Sequence, residues 1–434
     1  MLQMEDAEGQ PRHSTGYSAY VLFLLFLGYV MNALDRAILG IMLPPIKAEF
    51  GLSFTELGLL GGIAFALFYA TLGIPIAALA DRTSRKWVLA GSIALWSAMT
   101  ALCGAAKTFP ALLGARIGTA IGEAGGSPPS HSLIADYFPL HRRGTALSIY
   151  ALGVPLGGML GLLLGGWGND LWGWRTTFVV AGLPGLAVAL LVAFTLKEPT
   201  RGMADGVAVA KAAAGNPFAI VGTLWKRPAF RNMSLAAALH AFVWYGAGNF
   251  NSVFLNQTHG LSTSAIGSWL ASFALVGAAG TFFGGFLCDR LSKRYGDERY
   301  YMWVPGIAVV LGIPFQLTGY LAETVPLAMA GFAMSSFFAS VFFGPSFAMA
   351  QALVSPSRRA VSASVLLFIQ TMIGLGLGPL AVGMISDALV PSMAAEALRF
   401  ALVLVALANL WSGLHYMLAA RTVRTDIAEA KNEG

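Results

Sequence analysis

The chain has 434 residues, of which 56% are hydrophobic and only 11% are charged, and its formal net charge is +6. A typical soluble domain carries roughly 25% charged residues, so this composition excludes an ordinary soluble protein. Repeated apolar runs of about 20 residues indicate a helical membrane protein instead. The basic residues cluster between these runs, which indicates membrane topology rather than binding to nucleic acid.

The apolar runs predict an all-α membrane protein with twelve transmembrane helices. Residues 1–16 contain three acidic residues and no apolar core, so we expect the first helix, not a cleavable signal peptide, to direct insertion. The predicted helices span residues 17–46, 54–80, 87–106, 110–136, 144–168, 175–196, 229–258, 264–288, 302–321, 325–354, 360–387 and 394–419.

Lysine and arginine are concentrated on alternate loops. The opposite loops contain only Lys47, Lys107, Arg175 and Arg399. The positive-inside rule therefore places both termini and the long central loop in the cytoplasm, as expected for a multi-pass protein of the cell (inner) membrane.

The longest polar interruption divides the predicted helices into two halves of six. Within it, the sequence VAVAKAAAG at residues 207–215 is a candidate for a short surface helix. The predicted parts are an N-terminal cytoplasmic tail (1–16), an N-terminal six-helix bundle (17–196), a cytoplasmic linker (197–228), a C-terminal six-helix bundle (229–419) and a cytoplasmic tail (420–434).

A short charged motif follows the second and the eighth predicted helix. The first copy is Asp81-Arg82-x-x-Arg85-Lys86 and the second is Asp289-Arg290-x-x-Lys293-Arg294. We interpret both as gating loops, in which the acid caps a neighbouring helix and the bases hold the loop at the cytoplasmic surface. A matched element in two halves predicts an internally repeated fold with pseudo-symmetric bundles.

Four formal charges lie inside the predicted spans, away from the helix ends. They are Asp35 and Arg36 in the first helix and Arg116 and Glu123 in the fourth. A charge at the centre of a bilayer costs at least ~2.5–3.5 kcal/mol, so these residues are candidates for function. We predict that Asp35 and Glu123 couple transport to protons, with Arg36 and Arg116 as counter-charges and contacts for an anionic head group. The alternative is that two acids and two bases only hold the bundle together.

The chain resembles the major facilitator superfamily through its two loop motifs and through GVPLGG at residues 153–158, although Thr281 replaces the leading glycine of the second loop motif. The segments NALDRAILG (32–40) and IGEAGG (121–126) are similar to the spinster branch of that superfamily. This resemblance implies two bundles that rock around a central cavity. It also implies export of lysolipids and sphingoid phosphates, with Asp35 and Glu123 required for transport.

The second half carries almost no central charge, and its helices 7 and 10 are rich in aromatic residues. Such a wall suits the tail of an amphiphile, although packing or lipid contact explains any single aromatic residue equally well. The candidates for lining the cavity are Asn32, His240, Trp244, Tyr245, Asn249, Phe338, Phe342 and Gln370.

These features predict a secondary active transporter that works by alternating access, is coupled to protons as a symporter or antiporter, and moves an anionic amphiphile. The alternative cargo is a small organic anion or a drug-like compound, and a channel stays open as a third class. Motifs for a metalloprotease, a serine hydrolase or an ATP-driven pump are missing from the sequence, so we expect no enzyme activity. We also expect no cofactor or metal, a monomer, and no partner beyond the substrate, protons and the bilayer.

Overall fold

A computed structural model describes residues 4–5, 11–12, 14–204, 217–354 and 359–432. The candidate surface helix at 207–215 lies outside these residues. The helices are α1 (Thr15–Phe50), α2 (Phe54–Gly61), α3 (Ile63–Arg82), α4 (Arg85–Ala105), α5 (Phe109–Glu123), α6 (Ser127–Tyr137), α7 (Leu140–Ala151), α8 (Gly153–Thr195), α9 (Pro217–Lys226), α10 (Pro228–His259), α11 (Thr263–Tyr295), α12 (Tyr300–Leu321), α13 (Val325–Ser340), α14 (Phe343–Ala352), α15 (Arg359–Gln370), α16 (Gly378–Met393), α17 (Ala397–Ala406) and α18 (Ala408–Asn432).

The predicted all-α fold is confirmed. Among the described residues, the strands are two antiparallel pieces of two residues each, Met4–Glu5 and Pro11–Arg12. Eight helical stretches in the described chain are long and apolar enough to cross a membrane, and two of them extend over 55 and 70 residues. A single crossing needs about 20 residues, so each of these two is long enough for more than one crossing. The count of twelve crossings stays a prediction.

Several predicted helices contain a break that the apolar pattern does not reveal. The second is interrupted at Gly62, where φ is −117° and ψ is −109°. The fourth is interrupted between α5 and α6, and the eleventh contains a π-helical segment at Thr371–Leu377. A π-helical turn inserts an extra residue into the hydrogen-bond ladder and bends the helix. The last two breaks fall in the glycine-rich segments of the fourth and eleventh predicted helices.

Two helical segments extend beyond the predicted helices, one at the C-terminal end and one in the linker. Helix α18 continues to Asn432 rather than ending at residue 419. Its buried Asp426 accepts a hydrogen bond of 2.8 Å from the backbone N of Ala229, the second residue of α10. The described part of the predicted linker also contains α9, which the sequence analysis did not predict.

The chain packs into two compact units. The first contains Met1–Ile46, Leu67–Ala213 and Ser262–Ser268, and the second contains Lys47–Ala66, Ala214–Leu261 and Trp269–Gly434. Each unit has an apolar core. Leu25, Ile93 and Val192 lie in the first core, and Phe230 and Tyr416 lie in the second. Each unit includes one short segment from the other predicted bundle.

Candidate functional site

The first buried ion pair joins α1 to α5. Arg116 Nη1 lies 2.8 Å from Asp35 Oδ2, and both side chains are 3% exposed. The hydroxyl of Thr100 in α4 donates to the other carboxylate oxygen, Oδ1. Both oxygens of Asp35 therefore have hydrogen-bond donors, which is the condition for holding a charge in an apolar interior.

The second buried ion pair lies beside the first. Arg36 Nε donates to Glu123 Oε2 at 2.5 Å, and the guanidinium carbon of Arg36 lies 4.5 Å from the centre of the Tyr69 ring. The Glu123 side chain is fully buried, whereas that of Arg36 is 35% exposed. Glu123 Oε1 is buried and has no hydrogen-bond partner among the described residues. An unsatisfied buried acceptor costs about 1–3 kcal/mol, and more when it is charged.

The geometry of the helices explains why two separate pairs form. Neighbouring residues on a helix differ in direction by about 100°, so Asp35 and Arg36 face different partners. Arg116 and Glu123 are seven residues apart on α5, which places them on one face about 10 Å apart. The structure thus brings together all four charged residues that the sequence analysis selected.

Close packing against α4 fixes the position of α5. A Cβ at Gly122 would lie 2.6 Å from the backbone N of Trp96, and one at Gly125 would lie 2.1 Å from Ser92 Oγ. Larger residues would push the two helices apart. The glycines near Glu123 therefore set the depth and the direction of its carboxyl group.

A small, mostly apolar cavity lies one helical turn from the second ion pair. It has room for about one water molecule. Asn32, a candidate lining residue four positions before Arg36, lies in its wall. The rest of the lining includes Tyr29, Trp96, Ser127, Ser130 and Tyr150.

The first gating loop is held by contacts that the sequence analysis missed. Arg85 is 1% exposed and pairs with Asp136, and its Nε donates to Glu198 Oε1 at 2.9 Å. Burial by itself raises the pKa of the Glu198 carboxyl, but hydrogen bonds from the backbone N of Lys86 and from Arg85 bring the net pKa below its usual value. Arg85 is therefore a buried cross-link between α4, the end of α6 and the start of the linker.

Asp81 and Arg82 end α3, and the Asp81 side chain is 71% exposed. The contact recorded for Asp81 is with Arg201 Nη1 at 3.5 Å, not with a helix N-terminus as predicted. Arg82 is also exposed. Of the three candidate residues in this loop, Arg85 has the most extensive contacts.

The second gating loop has a similar sequence but different contacts. Asp289 and Arg290 lie inside α11, where Asp289 accepts a hydrogen bond from the Tyr301 hydroxyl. The guanidinium carbon of Arg290 lies 6.0 Å from the centre of the Phe286 ring. Lys293, the counterpart of Arg85, is exposed. The two loops are therefore similar in sequence, but only the first contains a buried basic residue that pairs with acids, as Arg85 does with Asp136 and Glu198.

Two of the candidates in the C-terminal half are deeply buried. His240 is 1% exposed, and its ring nitrogens lie 2.8 Å from Asn409 Oδ1 and 2.8 Å from the carbonyl of Ala339. Its ring also packs edge-on against Phe342, which is 2% exposed. These contacts match those of hydrogen-bonded packing residues.

The other candidates differ in exposure. Trp244 and Tyr245 are 49% and 37% exposed, and Phe338 stacks on Phe315 at 5.4 Å. The side-chain amide nitrogens of Asn249 and Gln370 are buried and have no hydrogen-bond partner among the described residues. Trp244, Tyr245, Asn249 and Gln370 thus keep either exposed surface or unused hydrogen-bonding groups.

Comparison with known proteins assigns the chain to a family. The family model of the Major Facilitator Superfamily matches residues 25–379 and 233–433. The chain belongs to the major facilitator superfamily. It is 32% identical over 426 residues to an MFS-type efflux pump of Mycolicibacterium smegmatis, covering 98% of this chain and 97% of the relative. It is therefore a multi-pass membrane transporter of a small-molecule substrate, and not an enzyme.

The resemblance to the spinster branch is also confirmed. A crystal structure of a bacterial homologue of the human lysosomal transporter spinster, inward-facing and unoccupied, matches with a TM-score of 0.88 and 35% identity, covering 95% of this chain and 99% of that chain. A third relative is the cis,cis-muconate transport protein of Acinetobacter baylyi, 27% identical over 337 residues, covering 71% of this chain and 80% of the relative.

Proposed function

We propose that this protein is a proton-coupled secondary active transporter that moves an anionic amphiphile such as a lysolipid or a sphingoid phosphate by alternating access. The observation that carries this proposal is the Arg36–Glu123 pair. A fully buried carboxyl group there has one oxygen bound to a guanidinium, and its other oxygen has no hydrogen-bond partner in the part of the chain that the structure describes.

Glu123 is the first candidate for the proton site because its charge is only half satisfied. While Arg36 is in contact, the carboxylate is favoured; when Arg36 withdraws, burial favours the protonated form. Arginine does not release its proton in proteins, so the carboxyl group must be the partner that titrates. A shift of Arg36 toward cargo would therefore bind a proton at Glu123.

Asp35 has a different role in this scheme. Its two oxygens are held by Arg116 and Thr100 in a fully buried setting, so its charge is well compensated. We propose that Asp35 is the second proton site and takes up a proton only when Arg116 moves. The more accessible Arg36 contacts the anionic head group first.

We also propose a direction of transport and a membrane topology. The similarity to an efflux pump supports export. The distribution of basic residues supports cytoplasmic termini in an inner membrane. We also propose that the protein is a monomer.

The experiment that tests this function is flux into liposomes that contain the purified protein. A pH gradient is imposed, and labelled lysolipids are compared with small organic anions. Lysolipid transport that depends on the pH gradient supports the proposal. Lysolipid transport at the same rate without the gradient contradicts the proposed coupling to protons.

The second candidate cargo is a small organic anion. The similarity to a muconate transporter supports it, because a dicarboxylate would also use a pair of guanidinium groups. Saturable, gradient-driven uptake of dicarboxylates without lysolipid uptake would favour this cargo.

A further inference from the structure

A second internal repeat lies at the start of one helix in each of the two predicted halves. Residues 51–58 read Gly-Leu-Ser-Phe-Thr-Glu-Leu-Gly and residues 260–267 read Gly-Leu-Ser-Thr-Ser-Ala-Ile-Gly. The leading glycines share a left-handed backbone, with φ of 64° at Gly51 and 63° at Gly260. Each segment leads into a helix, α2 or α11, and each helix begins on the side opposite the basic loops.

A further repeated sequence pattern contains the aspartate that binds each of these helix starts. The pattern Gly-x-x-x-Asp occurs at Gly166–Asp170 in α8 and at Gly383–Asp387 in α16. In sequence, α8 belongs to the predicted N-terminal bundle and α16 to the predicted C-terminal bundle. Each aspartate contacts a helix start from the other predicted bundle, while staying within one compact unit.

The first clamp consists of Asp387 and the start of α2. Asp387 Oδ1 accepts from the backbone N of Phe54 at 3.0 Å, and Oδ2 accepts from that of Thr55 at 2.8 Å. The carboxylate therefore satisfies two of the free amides that every helix start leaves unpaired, and it does so where the helix dipole favours a negative charge.

The second clamp consists of Asp170 and the start of α11. Asp170 Oδ2 accepts from the backbone N of Ser264 at 2.9 Å, and Oδ1 accepts from the Thr263 hydroxyl at 2.5 Å. The same type of residue thus binds the same positions of the repeated segment, with one hydroxyl in place of one amide.

Glycines bring the helices of both clamps into contact in the same way. A Cβ at Gly58 would lie 2.4 Å from the carbonyl of Pro379, and one at Gly267 would lie 2.3 Å from that of Leu162. On the partner helices, a Cβ at Gly383 or Gly166 would lie 2.3 or 2.5 Å from the carbonyl of Phe54 or Thr263. No other residue fits at these four positions without separating the helices.

Each helix start also keeps a cap of its own. Ser53 Oγ accepts from the backbone N of Glu56 at 3.1 Å, and Ser262 Oγ accepts from that of Ala265 at 3.3 Å. The serine cap belongs to the segment itself and stays with it when the aspartate leaves. The free amides are therefore divided between a permanent cap and a removable one.

We infer that Asp170 and Asp387 are removable helix caps that hold the face opposite the basic loops closed, and that both must release before this face opens. The inference rests on the alternating-access part of the proposed function, but not on its cargo or its protons. Release exposes two backbone amides to water at the start of α2, and one amide and one hydroxyl at the start of α11. Neither helix unfolds, because the serine caps remain.

The test measures distances across each clamp in the full-length protein, reconstituted without cargo or gradient. Cys103 and Cys288 are replaced by alanine, and spin labels are placed at residues 48 and 390 for the first clamp and at 171 and 265 for the second. We compare the parent protein with Asp170→Asn, Asp387→Asn and the double variant. Asparagine keeps the size of the side chain but loses the charge that strengthens its hydrogen bonds.

We expect each single substitution to raise the ratio of long to short distances about tenfold, and the double variant to raise it further. Ser53→Ala and Ser262→Ala are the matched controls, since they remove the permanent cap and leave the aspartate in place. Unchanged distances in all three aspartate variants would overturn the inference. So would an equal lengthening in the serine variants, because it would show fraying of the helix start rather than release. Size-exclusion and thermal unfolding profiles verify that each variant is folded, and none of these readouts depends on transport.

Discussion

Arg36 and Glu123 form a pair in which one partner reaches the surface and the other does not. The arginine side chain is 35% exposed and that of the glutamate is fully buried, with 2.5 Å between Nε and Oε2. Movement of the arginine alone can therefore change the charge environment of the glutamate. The Asp35–Arg116 pair lacks this asymmetry, because both of its side chains are 3% exposed.

The first prediction concerns Glu123→Gln. The amide keeps the shape of the side chain and can still accept a hydrogen bond from Arg36, but it cannot bind and release a proton. We expect gradient-driven flux in liposomes to fall at least about tenfold, while the thermal unfolding temperature changes little. Glu323→Gln, which changes an exposed acid between helices, is the control. If Glu123→Gln transports at the wild-type rate, Glu123 is not required for coupling to protons.

The second prediction separates a structural from a functional role for Asp35 and Arg116. Removing one partner of a buried pair leaves an uncompensated charge and costs about 3–5 kcal/mol. We expect Asp35→Asn to lower the unfolding temperature more than Glu123→Gln does. Replacing both partners with apolar residues, as in Asp35→Leu with Arg116→Met, should restore much of that stability but not transport. Recovery of transport in the double variant would show that the pair is only structural.

The third prediction concerns the head group of the cargo. Arg36→Ala removes the most accessible charge of the cluster, so we expect affinity for an anionic lysolipid to fall about tenfold or more. Arg36→Lys keeps the charge but loses the planar group above the Tyr69 ring, and should recover affinity only in part. Binding to the purified protein is measured by calorimetry, with a zwitterionic lysolipid as the comparison. Equal losses for both lipids would contradict a contact with the anionic group.

The sequence predicted most of the fold because long apolar runs leave few alternatives to membrane helices. It also predicted the four buried charges, since a charge within such a run stands out. Thr100 and Tyr69, which complete the two ion pairs, were not predicted. A threonine or tyrosine in an apolar helix gives no signal of its own, and its partner is set by how the helices pack.

The contacts of the loops were harder to predict than the helices. Glu198 and Arg85 are 113 positions apart, and only the tertiary fold brings them together. The two loop copies look alike in sequence, yet Arg85 is buried and Lys293 is exposed. The repeat at residues 51–58 and 260–267 is visible in the sequence. Its contacts with Asp170 and Asp387 could not be predicted, because these aspartates lie far away along the chain.

The fourth prediction concerns the pH dependence of the Arg85 cluster. The pKa of Glu198 is lower in the folded protein than its usual value, so this carboxylate stabilises the fold above its unfolded pKa of about 4.3. The contribution is lost as the pH falls through the lower, folded pKa. We expect Glu198→Gln to lower the unfolding temperature at pH 7 by a modest amount, and this difference from wild type to vanish as the pH falls below about 4.

Arg85→Ala serves as the stronger companion variant, because it removes the donor shared by Glu198 and Asp136. Unfolding is followed by tryptophan fluorescence in detergent between pH 3 and 8, the range chosen to span the usual pKa of about 4.3. A difference between wild type and Glu198→Gln that stays constant down to the lowest pH would show that Glu198 acts through packing rather than through its charge.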